Sequence, residues 1–169
     1  MVLYITGFMG TGKTTVSKQL GETLPAYRVF DTDQEIEKEE GRAIKEIFAT
    51  EGEAYFRDIE TKVLRKLSEE KNVIISCGGG VVLKKENRDI MKENGHVILL
   101  TASPETVLKR TGGNDKRPLL KDKKTPEEIR SMMEKREAAY KEAADYTIST
   151  DDGNVYSTVQ MITDYMMTV

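Results

Sequence analysis

Residues 7–14 read Gly7-Phe8-Met9-Gly10-Thr11-Gly12-Lys13-Thr14 and fit the pattern G-x-x-x-x-G-K-[S/T] at every fixed position. Glycines let the backbone take positive φ, so that successive N–H groups turn inward on an anion. Lys13 adds a compact positive charge suited to β- and γ-phosphates, and Thr14 a hydroxyl suited to Mg2+. With glycine near 7% of residues, the string arises by chance in under roughly 1% of chains this long. An apolar stretch, Val2 to Thr6, precedes the loop, and an amphipathic one carrying Val16, Leu20 and Leu24 follows it. That strand-loop-helix setting aims a helix N-terminus at the phosphates. Gly10, Thr11, Gly12, Lys13, Thr14 and Thr15 are the candidate nucleotide-binding residues.

The alternation that begins here continues along the chain. Val2–Thr6, Arg28–Asp31, Val73–Ser76, Val97–Thr101 and Tyr146–Ser149 read as short, largely buried strands. Amphipathic patterns near 13–24, 34–49, 53–70, 84–93, 104–111, 126–144 and 154–167 predict helices between them. Strands separated by helices imply an α/β fold, a parallel sheet covered on both faces. The 169 residues form one domain, with no repeat, low-complexity tract or linker. Residues 112–125, GGNDKRPLLKDKKT, are polar, basic and broken by Gly and Pro. They predict a long mobile loop, and loops of that length are usually functional.

Composition removes other classes. The 26 basic and 29 acidic side chains leave a net charge of -3, which argues against bulk nucleic-acid or membrane-surface binding. One cysteine, Cys77, excludes an internal disulfide and points to a reducing compartment; it is expected to pack in or beside a buried strand. The one histidine, His96, reads as a solvated residue of the turn Asn94-Gly95-His96. No run approaches the roughly 20 apolar residues that span a bilayer, and no signal peptide is evident. A cytoplasmic monomer is the expectation. No Asn-Lys-x-Asp guanine-reading string and no long apolar strand ending in Asp-Glu occurs. A small-molecule kinase is left, and it needs a second site for an acceptor.

Four places are candidates for that site: Asp31-Thr32-Asp33, Phe56-Arg57 with Glu60, Ser76 to Gly80, and Arg136. The first and third fall at the carboxyl ends of predicted strands, where open parallel sheets bind ligands. Each has a plainer reading. Asp31 and Asp33 suit the cap of the following helix, Arg57 and Glu60 a surface i,i+3 pair, Gly78 to Gly80 a simple turn, and Arg136 a solvated helix position.

Taken together the pieces resemble the shikimate kinase family. The matching residues are Gly7 to Thr15, Asp31-Thr32-Asp33, Ile47 to Glu53 leading to Phe56-Arg57-Asp58-Ile59-Glu60, Gly78-Gly79-Gly80, Arg110 to Asn114 with Arg117-Pro118-Leu119-Leu120, and Arg136 with Tyr140. They run in the family's order from residue 1 to about 146. The resemblance implies a three-layer αβα P-loop kinase fold whose five-stranded parallel sheet has the order 2-3-1-4-5. It also implies a mobile lid over about 112–125 and an acceptor-binding helical region over about 33–61. The implied reaction is phosphorylation of the 3-hydroxyl of shikimate by ATP with Mg2+.

By the same resemblance, Arg57, Arg136 and the backbone of Gly78, Gly79 and Gly80 hold the acceptor, with Glu60 holding Arg57. Asp33 orients the reacting hydroxyl, and Thr14 and Asp31 hold the metal. Arg110 lies against adenine or the phosphates, and Lys13, Asp33 and Arg117 carry the catalysis. Gluconate kinase, nucleoside-monophosphate kinase and a non-catalytic nucleotide-binding module are the alternatives. The chain departs from the family at Asp151-Asp152-Gly153-Asn154, where basic residues and a proline often flank the adenine.

Overall fold

The first strand, β1 (Val2–Gly7), is buried along its whole length. Its side chains alternate between two apolar clusters: Val2 and Tyr4 pack on one face, Leu3 and Ile5 on the other. The period of two thus divides one continuous apolar run between two cores, as a strand covered on both faces requires. The computed structural model describes residues 1–112 and 125–169.

Four further strands pair in parallel, β2 (Arg28–Asp31), β3 (Val73–Ser76), β4 (Gly95–Thr101) and β5 (Tyr146–Ser149), in the order β2-β3-β1-β4-β5. The predicted strand order is the observed one. Helices α1 (Lys13–Thr23) and α8 (Val155–Met166) cover the Leu3 face. The Tyr4 face is covered by α2 (Thr32–Glu40), α3 (Ile44–Thr50), α4 (Glu53–Ser68), α5 (Lys85–Asn94), α6 (Pro104–Thr111) and α7 (Pro126–Ala143). Each fully buried Leu or Ile in these clusters is worth about 1.5–3 kcal/mol. No helix among the described residues is long and apolar enough to cross a membrane.

Three expectations need correction. The pattern over 34–49 is two helices, because Gly41 takes φ 67° as the C-cap of α2 and ends it. The strands β2 and β5 are not largely buried: they are the sheet edges, and Arg28, Val29, Thr147 and Ser149 are exposed. His96 is not a solvated turn residue, since β4 begins at Gly95 without a turn. Its half-buried ring lies with Nδ1 3.4 Å from the Tyr165 hydroxyl. Cys77 is buried just beyond β3, as expected.

The strands deliver their carboxyl ends to one edge of the sheet. After β2, β4 and β5 the next helix begins within a few residues under a side-chain cap. Asp31 caps α2, Ser103 caps α6 and Asn154 caps α8 with side-chain oxygens, each worth about 1 kcal/mol. By contrast α1 starts at Lys13 with no side-chain cap on its first turn.

Candidate active site

All the predicted site residues except Arg117 line one cleft of about 1060 Å³ along that edge. Arg117 lies outside the described residues, as does most of the expected lid, residues 113–124. One end of the cleft is the phosphate loop. Gly10 and Gly12 take φ 81° and 96°, the positive values the motif calls for. The Lys13 ammonium donates to the Gly7 and Phe8 carbonyls at 2.8 and 3.1 Å, which holds it over the loop. Thr14 and Thr15 are exposed to the cleft.

The glycine run after β3 organises the other end. A Cβ at Gly78 would lie 2.8 Å from Asp33 Oδ1 and 3.0 Å from Glu60 Oε2. At Gly79 it would lie 3.4 Å from Arg136 Nη1, and at Gly80 2.5 Å from Arg57 Cζ. Each glycine therefore makes room for one or two of the charged side chains expected at the site. They come from α2, α4 and α7, and the absence of side chains on the loop is what lets them converge. The loop is anchored from both sides: Gly78 N–H donates to the Thr32 hydroxyl at 2.8 Å, and the Tyr140 hydroxyl donates to the Gly79 carbonyl.

The plainer readings of these residues now separate. Asp31 is a helix cap, its Oδ1 accepting from Asp33 N–H at 2.9 Å and Gln34 N–H at 3.1 Å. Asp33 is not; it sits in the first turn of α2 and turns into the cleft. Arg57 and Glu60 are no surface pair: Glu60 is 1% exposed and accepts from Arg57 Nη1 at 2.8 Å. Arg57 Nη2 reaches Glu53 at 3.3 Å. Arg136 is half-buried, its guanidinium 5.9 Å from the centre of the Phe8 ring. Gly78 to Gly80 is a turn whose openness the site uses.

Electrostatics at this end are tense. Burial pushes the Asp33 carboxyl up to about 6, the neighbouring Asp31 charge adds to this, and Lys13 and Arg57 pull the other way. Burial pushes Glu60 up to about 7, with Arg57 opposing. Three buried polar atoms here have no hydrogen-bond partner among the described residues: Arg57 Nε, Arg136 Nη1 and Glu60 Oε2. A buried unsatisfied donor costs about 1–3 kcal/mol, more when charged. Two guanidinium donors left open beside one cleft are matched by an anionic, oxygen-rich ligand.

The departure at Asp151 to Asn154 has a structural account. Asp151 accepts from Ser103 N–H at 2.8 Å, Asp152 from Asn154 N–H at 3.0 Å, and Asn154 from Ser157 N–H at 3.1 Å. These side chains build the turn after β5. Gly153, Asn154 and Val155 line the cleft beside Arg110, so this turn walls the end of the site beyond the phosphate loop.

Sequence reasoning missed the part of Phe8, which supports Arg136, and the apolar wall that Ile44 and Phe48 form beside Phe56. It also missed Thr150, buried where β5 leaves the sheet. The aromatic pair Phe48 and Phe56, with ring centres 4.8 Å apart, lay within the stretch that carried the resemblance. Nothing in the local sequence marks Thr150.

A phosphate loop on the first strand of a parallel sheet, with an acid and two arginines around a glycine turn beside it, defines a P-loop phosphotransferase for a small acceptor. The family model for shikimate kinase matches residues 9–167, and the chain belongs to the shikimate kinase family. The shikimate kinase of Persephonella marina is 48% identical over 160 residues, 95% of each chain. Among solved structures, the shikimate kinase of Acinetobacter baumannii in complex with shikimate is 36% identical, with a TM-score of 0.93 over 99% of this chain and 93% of that one. The Aquifex aeolicus shikimate kinase is 34% identical, with a TM-score of 0.82 over 99% and 96%. This chain is accordingly an ATP-using kinase with an alcohol group as acceptor.

Proposed function

We propose that the protein transfers the γ-phosphate of ATP to the 3-hydroxyl of shikimate, giving shikimate 3-phosphate and ADP. The observation that carries this reading is the pair of open guanidinium donors, Arg57 Nε and Arg136 Nη1, beside Asp33 in the cleft that the phosphate loop closes at its other end. A small polyol carboxylate supplies the anion for the arginines and a hydroxyl for Asp33. Planar guanidinium suits a carboxylate in a way that a lysine ammonium does not.

Glu60 sets the Arg57 fork, and Phe8 supports Arg136 from behind. Because Gly78 N–H is taken by Thr32, the backbone donors to the acceptor are those of Gly79 and Gly80. Asp33, ionised above about pH 6, accepts a hydrogen bond from the acceptor hydroxyl and receives its proton as the O–P bond forms. The bond from the γ-phosphorus to the ADP oxygen breaks, and Lys13 stabilises charge on the phosphates. To Arg117 we assign, on the sequence pattern alone, positive charge at the transferring phosphoryl group. We take the enzyme to act as a monomer in the cytoplasm.

The metal assignment rests on the chemistry of the donors. Thr14 and Asp31 offer one hydroxyl and one carboxylate to the same cleft. Asp31 Oδ1 is engaged as a helix cap, which leaves Oδ2. No group of three or more His, Cys, Asp or Glu side chains that could hold a metal gathers among the described residues. So sparse an oxygen set fits Mg2+, which keeps its waters and takes substrate phosphates as ligands. When bound, Mg2+ would neutralise phosphate charge.

The test is ADP release by purified protein with ATP and Mg2+. Turnover is expected only when shikimate is added. Equal turnover with gluconate, or none with shikimate, would remove the reading.

A further inference from the structure

In a phosphate-binding loop the amides that face the anion belong to peptide groups whose carbonyls face away from it, because the two dipoles of a trans peptide point in opposite directions. Those outward carbonyls need partners on the far side of the loop. Here two of them find partners. The Thr150 hydroxyl donates to the Thr11 carbonyl at 2.7 Å, across 139 residues of sequence. Arg110 Nη1 donates to the Gly10 carbonyl at 3.3 Å.

The two partners also hold each other. Arg110 Nη1 donates to the Thr150 hydroxyl at 3.1 Å, and Nη2 to the Thr150 carbonyl at 2.6 Å. The Thr150 amide donates to the Thr101 carbonyl at 2.8 Å, which ties the group to the end of β4. The hydroxyl has a single hydrogen. The Thr101 carbonyl, 3.2 Å away, is already served by that amide, so the hydrogen goes to the Thr11 carbonyl at the shorter distance. Thr150 is 5% exposed, and its bond to the Thr11 carbonyl is buried.

Gly12 takes φ 96°, and a Cβ there would meet nothing within 4 Å. Thr11 is anchored through its own amide and hydroxyl to the Phe8 carbonyl, and the Gly12 carbonyl accepts from Val16 N–H; the Thr11 carbonyl between them is held from the far side by the Thr150 hydroxyl. We infer that Thr150 is a positioning residue of the nucleotide site. Its hydroxyl, braced by the Arg110 fork, orients the Thr11–Gly12 peptide so that the Gly12 amide faces the phosphates. The same residue begins the turn that walls the far end of the cleft, so it joins the two ends of the nucleotide site through one side chain. The inference rests on the reading of this cleft as an ATP site.

The experiment compares Thr150→Val, nearly isosteric but without the hydroxyl, with Thr150→Ser, which keeps it. MgADP binding by calorimetry, KM for ATP, KM for shikimate and Tm are measured on each. Thr150→Val is expected to weaken MgADP binding and raise KM for ATP about tenfold, the value of one or two buried hydrogen bonds, with KM for shikimate within twofold. Thr150→Ser should return both nucleotide values to within about threefold of the parent. Arg110→Lys should weaken MgADP binding less when combined with Thr150→Val than in the parent, because the two side chains act as one brace.

A lower Tm for Thr150→Val with unchanged nucleotide values would overturn the inference in favour of a purely structural role. So would a serine variant as impaired as the valine variant, or equal rises in both KM values. A parent protein that binds MgADP but ignores shikimate fails the acceptor reading and leaves this one standing; a parent that binds no MgADP overturns both.

Discussion

Replacing Asp33 with asparagine should make the protein more stable at neutral and alkaline pH while nearly abolishing its activity. Burial, with the nearby charge of Asp31, lifts the Asp33 carboxyl from its ordinary 3.8 to about 6. At about 1.36 kcal/mol per pH unit, keeping this group ionised in the folded protein costs ~3 kcal/mol. The direction follows from proton linkage. Below about pH 4 the group is protonated in both states and imposes no penalty. Between about 4 and 6 the unfolded chain has released the proton while the folded one retains it, so stability falls as pH rises. Above about 6 the full penalty persists.

Asparagine has the same shape and no charge. At about pH 8, Asp33→Asn should therefore exceed the parent by about 1–3 kcal/mol, roughly 3–10 °C in Tm for a chain of this length. The gap should close by about pH 4. Thermal melts of both proteins from about pH 4 to 8, without nucleotide or acceptor, provide the comparison. On the same variant kcat should fall at least about 100-fold, and kcat/KM of the parent should drop as pH falls through about 6. An asparagine variant no more stable than the parent at the alkaline end, or one whose advantage is the same at every pH, would refute the reasoning.

Two further substitutions probe the acceptor end. Gly80→Ala places a methyl 2.5 Å from Arg57 Cζ on a backbone that alanine tolerates, with φ -99°. It should displace the guanidinium and raise KM for shikimate at least about tenfold with KM for ATP unchanged; equal effects on both substrates would place Arg57 elsewhere in the mechanism. Arg136→Ala removes a charged donor worth about 1.5–3 kcal/mol. Steady-state kinetics should show KM for shikimate rising roughly ten- to a hundredfold, and an effect confined to ATP would show that Arg136 serves the nucleotide instead.

Much of the site was legible because its motifs are short and continuous. Gly7 to Thr14 is one strand-loop-helix unit whose function resides in its own backbone, so eight adjacent letters specify it. Asp31, Asp33 and the glycine run follow strands, and strand ends are where a parallel sheet binds. Less legible were residues whose role depends on what lies opposite. The Arg57–Glu60 spacing is the same on a wet helix face as in a core, and only the packing of α4 under the glycine loop makes Glu60 1% exposed. The single helix expected over 34–49 hid a break because amphipathic periodicity continues across Gly41.

The sequence alone determined the phosphate loop and the alternation of strands and helices, since each is encoded by neighbours in the chain; the charged residues opposite the loop were legible only as a set, through the resemblance. Which of those residues meet was decided by the tertiary structure. The β2-β3-β1-β4-β5 order sets Asp33, Arg57 and Arg136 around three glycines, and it brings Thr150 to the back of the Thr11 carbonyl. No local pattern records that contact, because a hydrogen bond spanning 139 residues exists only once the sheet has placed both of its ends.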